Sequence, residues 1–330
     1  NSQDRILIVE GPAGSGKTSI ALHRAAYLLY KYRESIKSEN ILVFSPNHVF
    51  EDYISGVLPE LGEENIQRNT FAGFFGNMMK TGYRIENMNQ QIEYVLSGYA
   101  DKTRLRCIGF KSSLQFLGIL QRYVRQLENG MSMEFRNLIY NGDPFISADE
   151  IRRLFKDDYS RLPYAKRLEK LCQRLFYLLE QCEEKRAEEL SQNDILTEED
   201  KISADQKAKA EYEVLKNDIL SMTSFDIFLL YKNLFNDIEL LARTNDTREL
   251  ADLGDLAAYT TRQLERGIVN YEDAAPIIFL KALLDPVGDI KSIKHVIIDE
   301  AQDYTAVQYE IFKKVFEHCN MTILGDINQS

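Results

Sequence analysis

The sequence predicts an α/β fold in which a parallel sheet carries a phosphate-binding loop and is interrupted by a large all-helical insertion. Three observations predict it. Short apolar runs alternate with helical patterns at the N-terminal end and again at the C-terminal end. A glycine-rich loop stands between the first apolar run and the first helical pattern. Between the two ends lies a long stretch of polar-rich helical periodicity without buried strand runs.

In chain order, Ile6-Leu7-Ile8-Val9 reads as a buried strand, Lys17 to Tyr32 as a helix and Ile41-Leu42-Val43-Phe44 as a second strand. Alternation of this kind implies parallel strands joined by crossovers. The texture returns with a strand at His295-Val296-Ile297-Ile298, a helix from Val307 to Phe316 and a strand at Thr322-Ile323-Leu324. Both ends are therefore expected in one sheet, with the loop around Lys17 and the carboxylates of Asp299 and Glu300 on neighbouring strands. The expected division is 1–76 with 271–330 as the sheet domain and 77–270 as the insertion.

Within the insertion, the clearest helix runs from about Pro163 to Leu190, with Leu168, Leu171, Cys172, Leu175, Leu179 and Cys182 on one stripe. Ser147 with Glu150, and Ser224 with Asp226 close behind, are expected helix starts. Residues 191–209 are rich in Asp, Glu, Lys, Ser and Gln, and read either as a mobile loop or as the turn of a helical hairpin.

Composition narrows the function classes. With 44% hydrophobic and 28% charged residues, 330 residues suffice for two compact units and exclude a disordered chain. The net charge of -11 argues against a surface that holds nucleic acid by general phosphate attraction, so any such contact must be local. The acidity leaves room for a basic protein partner, although mild acidity is common without one. Cys107, Cys172, Cys182 and Cys319 match neither a zinc site nor a redox pair, and His23 and His295 read as packed or solvated residues rather than ligands. No apolar run approaches the roughly 20 residues of a membrane span. The expectation is a soluble, cytoplasmic protein without a signal peptide.

The chemistry sits in two places. Gly11-Pro12-Ala13-Gly14-Ser15-Gly16-Lys17-Thr18, followed by Ser19, fits GxxxxGK[ST] between a strand and a helix. Glycines let the backbone curl so that N–H groups point at phosphate oxygens, and the helix start adds its positive end. Lys17 is expected at the β- and γ-phosphates of ATP and the Thr18 hydroxyl on Mg²⁺. Ile297-Ile298-Asp299-Glu300 supplies the complementary half: an apolar strand ending in two carboxylates. Asp299 is the expected metal-sphere residue, and Glu300 the general base that orients water for in-line attack. Alone, such a pair is more often a solvated strand end; with a phosphate loop upstream it becomes a strong signal.

The strand His295-Val296-Ile297-Ile298 continues as Asp299-Glu300-Ala301-Gln302-Asp303, and the last strand ends in Gly325-Asp326-Ile327-Asn328-Gln329-Ser330. DEAQD and GDxNQS, with the phosphate loop, resemble motifs II, III and I of superfamily 1 helicases of the UvrD, Rep and PcrA type. The resemblance implies a RecA-like P-loop NTPase domain. It also implies that Gln329 senses the γ-phosphate and that Gln302 and Asp326 couple nucleotide state to movement of a second domain. Ser45-Pro46-Asn47 and Thr70-Phe71 stand where motifs Ia and Ib contact single-stranded DNA, or they are ordinary strand-to-helix loops.

A narrower likeness lies in Gly11 to Tyr30, Phe44 to Gly62 and Tyr271 to Leu284. These segments resemble HelD-type helicase-like ATPases, which implies RNA polymerase as a partner. The resemblance also implies a second RecA-like domain with arginine fingers after motif III, and an adenine-reading Q motif before Asn1; neither is in this sequence. The chain is therefore expected to be a motor-domain fragment that binds ATP and hydrolyses it poorly. The competing expectation is a polymerase-binding module whose nucleotide site acts as a conformational switch.

Overall fold

A computed structural model describes residues 4–12, 14–45, 66–78, 82–193, 195–242, 250–286, 290, 292–326 and 328. Its strands are β1 (Ile6–Glu10), β2 (Ile41–Phe44), β3 (Gln67–Asn69), β4 (Arg84–Ile85), β5 (Leu138–Tyr140), β6 (Asp143–Ile146), β7 (Ile268–Val269), β8 (His295–Ile298) and β9 (Asn320–Gly325). Five of them form one sheet in the order β1-β9-β8-β2-β3, with every pairing parallel. The chain divides into two compact units. One holds Asn1–Leu120, Tyr231–Ala282 and Pro286–Ser330; the other holds Gln121–Leu230 and Leu283–Asp285.

In the first unit, every residue of β2 and β8 is buried, which is why both read as unbroken apolar runs rather than alternating ones. One sheet face packs on the helix Lys17–Lys31 through Ala21, Leu22, Ala25, Leu28 and Leu29 against Ile41, Val43, Ile297 and Leu324. Each large aliphatic side chain buried there contributes roughly 1.5–3 kcal/mol. The other face is aromatic. Phe44 lies 4.7 Å from Phe312 and 5.3 Å from Phe74, and these rings come from the helices Ala306–Val315 and Phe71–Met78. Two anchored faces fix the ends of β2 and β8, where the chemistry lies.

The expected single sheet forms, but the placement of its two functional strands needs correction. β1 and β8 are not neighbours, because β9 lies between them and pairs with both. Sequence order gives no hint of this interleaving. The last strand in the chain enters the middle of the sheet, and the loop after β1 bridges over its end through Gly11 N–H donating to Gly325 C=O at 3.2 Å.

The segment 77–270 is not wholly helical. β4 pairs in parallel with β7, and β5 pairs antiparallel with β6. Two-residue strands are too short to show alternation. The β5–β6 hairpin did carry a signal, since Asn141 and Gly142 take positive φ of 52° and 86°, as an Asn-Gly hairpin turn requires.

In the second unit, the helix Tyr164–Ser191 packs along Glu198–Met222 as a hairpin, so 191–209 is no loop throughout: its turn is confined to 192–197, with residue 194 outside the description, and 198–209 belong to the second helix. Leu168, Leu171, Leu175 and Leu179 form the buried stripe, whereas Cys172 and Cys182 sit half-buried at its margin. Thr197 and Asp200 form a reciprocal capping box at the second helix, and Arg186 ties the two helices by pairing with Glu183 and with Asp205 at 2.9 Å. Ser147 caps the next helix start as expected, accepting from Glu150 N–H. At the other expected start, Asp226 rather than Ser224 is the cap, because its Oδ1 accepts from Phe228 and Leu229 N–H.

Candidate functional site

The phosphate loop is shaped by two glycines in the left-handed region, Gly14 at φ 74° and Gly16 at φ 80°, where a side chain would be strained. At Gly11 a side chain would displace the Ser15 hydroxyl. A Cβ at Gly11 would meet Ser15 Oγ at 2.6 Å. Ser15 N–H closes the turn on Pro12 C=O at 3.2 Å. The helix beginning at Lys17 has Gly16 as its N-cap and no side-chain cap, so its first N–H groups stay available to an anion. Lys17 is buried, and its ammonium donates to Gly11 C=O at 2.9 Å and Pro12 C=O at 3.1 Å. Ala13 lies outside the described residues.

The acidic half arrives at the end of β8. Asp299 N–H continues the sheet ladder to Phe44 C=O, which fixes the backbone, and only 1% of the residue is exposed. Its Oδ2 accepts from Thr18 Oγ1 at 2.8 Å and its Oδ1 from Glu300 N–H at 3.0 Å. Burial raises the Asp299 carboxyl above the ordinary range, opposed by those two hydrogen bonds; the Glu300 charge raises it further and Lys17 lowers it. Both bonds come from neutral donors, and among the described residues Asp299 forms no ion pair. A buried carboxylate so placed is suited to a cation.

Glu300 adopts φ 47° and ψ 54°, a left-handed conformation uncommon for a residue with a side chain. The turn throws the glutamate away from the β8 direction, and its Oε2 accepts from Gln302 Nε2 at 2.8 Å. Gln302 Oε1 in turn accepts from Asp326 N–H at 3.0 Å. One amide thus bridges the glutamate and the backbone at the end of β9. Asp326 is buried and its Oδ1 accepts from Asn328 N–H.

The supporting roles of four residues escaped the sequence reading. Thr305 caps the helix Ala306–Val315 in a box with Gln308, and Tyr309 Oη holds Ala301 C=O at 2.7 Å, so the turn after Asp299 is pinned from below. Gly325 allows close approach, since a Cβ there would meet Ala301 Cβ at 2.9 Å. The Thr305-to-Gln308 spacing is a capping-box signal visible in the sequence; the Gly325 approach is not.

The remaining expected residues divide. Ser45 is buried and its N–H donates to Asn69 C=O, extending the β2–β3 ladder. Thr70 Oγ1 accepts from Gly73 N–H at the start of a helix, and Phe71 is buried edge-on to Phe312 at 5.5 Å. Pro46, Asn47, Gln329 and Ser330, like nearly all of the segment from Phe44 to Gly62, lie outside the described residues. His295 is packed and bonded to Thr322 Oγ1 at 2.9 Å. Cys107 and Cys319 are buried, and burial pushes both thiols up to about 11. Among the described residues no helix is long and apolar enough to cross a membrane.

Compared with known proteins, the chain matches the family model of the UvrD/REP helicase N-terminal domain over residues 1–330. No curated protein matches it significantly.

Proposed function

Because the chain belongs to the UvrD/REP helicase N-terminal domain family, we propose that it is the ATP-binding and ATP-hydrolysing motor domain of a DNA helicase. The observation that carries this reading is the hydrogen bond from Thr18 to Asp299, which joins the phosphate loop to the acidic strand end.

The residues fit a magnesium nucleotide. Mg²⁺ binds through one or two protein oxygens, substrate phosphates and water rather than a full protein cage. Thr18 Oγ1 and Asp299 Oδ2 are two hard oxygens 2.8 Å apart, in a site whose carboxylate lacks a cationic partner among the described residues. Bound Mg²⁺ supplies charge neutralisation at the β- and γ-phosphates. Lys17 exchanges the carbonyls of Gly11 and Pro12 for phosphate oxygens and orients the triphosphate along the loop backbone of residues 11–19. Glu300 accepts the proton of the attacking water, and Gln302 positions the Glu300 carboxylate through its amide. Gln329 is assigned to γ-phosphate sensing on motif resemblance alone. Single-stranded DNA is assigned on the same ground to Ser45, Pro46, Asn47, Thr70 and Phe71.

The division into a motor domain of 1–76 and 271–330 with 77–270 as an insertion belongs to this proposal, supported by the long helical hairpin at Tyr164–Met222. A narrower reading makes the protein HelD-like and places RNA polymerase among its partners. Three segments favour it: Gly11 to Tyr30, Phe44 to Gly62 and Tyr271 to Leu284. In its alternative form the nucleotide site switches a polymerase-binding module rather than driving strand separation.

One experiment separates these readings: ATP turnover by the full-length protein, measured alone, with single-stranded DNA and with RNA polymerase. Stimulation by DNA with strand displacement supports the helicase. Turnover that responds only to polymerase supports the HelD-like reading. Nucleotide binding without turnover under any condition leaves the switch module.

A further inference from the structure

Away from the nucleotide loop, the first unit encloses a cavity of about 100 Å³. Phe71 and Tyr271 give it aromatic surface, Ala275 and Ile278 an aliphatic wall, and Glu86 a carboxylate. Lys111 and Glu272 also line it, and with Glu86 they belong to a buried ionic cluster. Arg104 pairs with Glu86 and, at 3.2 Å, with Glu272, whose other oxygen takes Gln91 at 2.8 Å. Lys111 pairs with Asp273 at 2.5 Å, and Tyr231 Oη donates to the same oxygen at 2.8 Å.

The charges of this cluster do not balance. With Asp273 taken as the ionised partner of the Lys111 ammonium, three carboxylates, Glu86, Glu272 and Asp273, face two cations, Arg104 and Lys111, among the described residues of the cluster. An uncompensated charge in a low-dielectric wall is costly. The surplus can be located. Every hydrogen bond to Glu86 arrives at Oε2, from Arg104 and from Tyr271 N–H, and Oε1 has no partner among the described residues. Glu86 is also the member of the cluster with the most exposed side chain, at 13%.

We propose that this cavity is a binding site for a small organic cation, a protonated alkylamine of about five heavy atoms, with its ammonium on Glu86 Oε1 and its alkyl body along Ala275 and Ile278. Aromatic lining by Phe71 and Tyr271 suits a cation further. The volume limits the ligand, since a dry cavity of about 150 Å³ is known to accept benzene. Thr305 and Gln308 also line the cavity, so the ligand would touch the segment that follows Asp299 and Glu300.

The test uses the chain with three probes of matched shape, n-butylammonium, 1-butanol and butyrate, followed by saturation-transfer NMR. Saturable binding of butylammonium is expected, with affinity for butanol lower by at least about 10-fold, since a charged hydrogen bond is worth about 1.5–3 kcal/mol, and with no binding of butyrate. Ala275→Leu, which fills the cavity without touching the ion pairs, should abolish the signal, and Glu86→Gln should reduce it to the level of butanol. Equal affinity for butanol and butylammonium, no saturable signal from any probe, or undiminished binding in Ala275→Leu would each overturn the proposal. The comparison of probes on the unaltered chain decides the matter even if a variant fails to fold.

Discussion

Thr18 Oγ1 donates a 2.8 Å hydrogen bond to Asp299 Oδ2 across 281 positions of sequence. Neither residue could perform its assigned role alone, because a metal ion held between phosphate and protein needs oxygens from both sides. Sheet order makes the contact possible, with the ends of β1 and β8 flanking the end of β9.

Lys17→Ala should weaken ATP binding by about 100-fold, as expected for losing charge-assisted bonds to phosphate oxygens. The helix that follows keeps its buried face of Ala21, Leu22, Ala25 and Leu28, so the fold should persist. Titration with a fluorescent nucleotide and a thermal melt check the two halves of this expectation. Unchanged affinity would remove the loop from its role.

Glu300→Gln in the full-length protein should retain nucleotide affinity and lower kcat by about 10²–10⁴, since the amide cannot accept the water's proton. The left-handed backbone at residue 300 is as strained for glutamine as for glutamate, so stability should change little. Steady-state turnover beside equilibrium binding separates these effects; normal turnover would exclude Glu300 as the base.

Gln302→Leu removes the amide that joins Glu300 to Asp326 N–H. A lower kcat is expected with KM for ATP unchanged, because the residue orients the base rather than the nucleotide. A change confined to KM would place Gln302 on the nucleotide instead.

His295 yields a prediction on pH. Burial, with a smaller contribution from Arg24, lowers its pKa from 6.5 to about 4. Above pH 6.5 both folded and unfolded chains hold it neutral. Below that, the unfolded chain takes up the proton first, so stability should fall as pH drops from 6.5 towards 4, by up to about 3 kcal/mol from this residue. His295→Gln can keep a hydrogen bond to Thr322 and should flatten that part of the curve. Urea unfolding at a series of pH values measures it, and an equally steep fall in the variant would assign the effect elsewhere.

The sequence made the sheet and most of the candidate site legible because their signals are local. The glycine pattern before Lys17 and the apolar run before Asp299 each report a backbone shape within about ten residues. What it hid depends on distant partners. The insertion of β9 between β1 and β8 leaves no trace in composition, and the cluster of Arg104, Glu86, Glu272, Lys111 and Asp273 joins residues more than 160 positions apart. The left-handed turn at Glu300 was hidden for another reason, since a glutamate gives no warning of a conformation usually left to glycine or asparagine. The Asn141-Gly142 turn was legible and went unread.

The position of β9 also bears on how the protein is made. A ribosome synthesises the phosphate loop some three hundred residues before the strand that seats it beside the acidic pair. Closure of such distant contacts is slow. The nascent chain therefore carries this glycine-rich loop unsupported throughout that interval, and competence to hold nucleotide switches on only once β9 threads between strands already made.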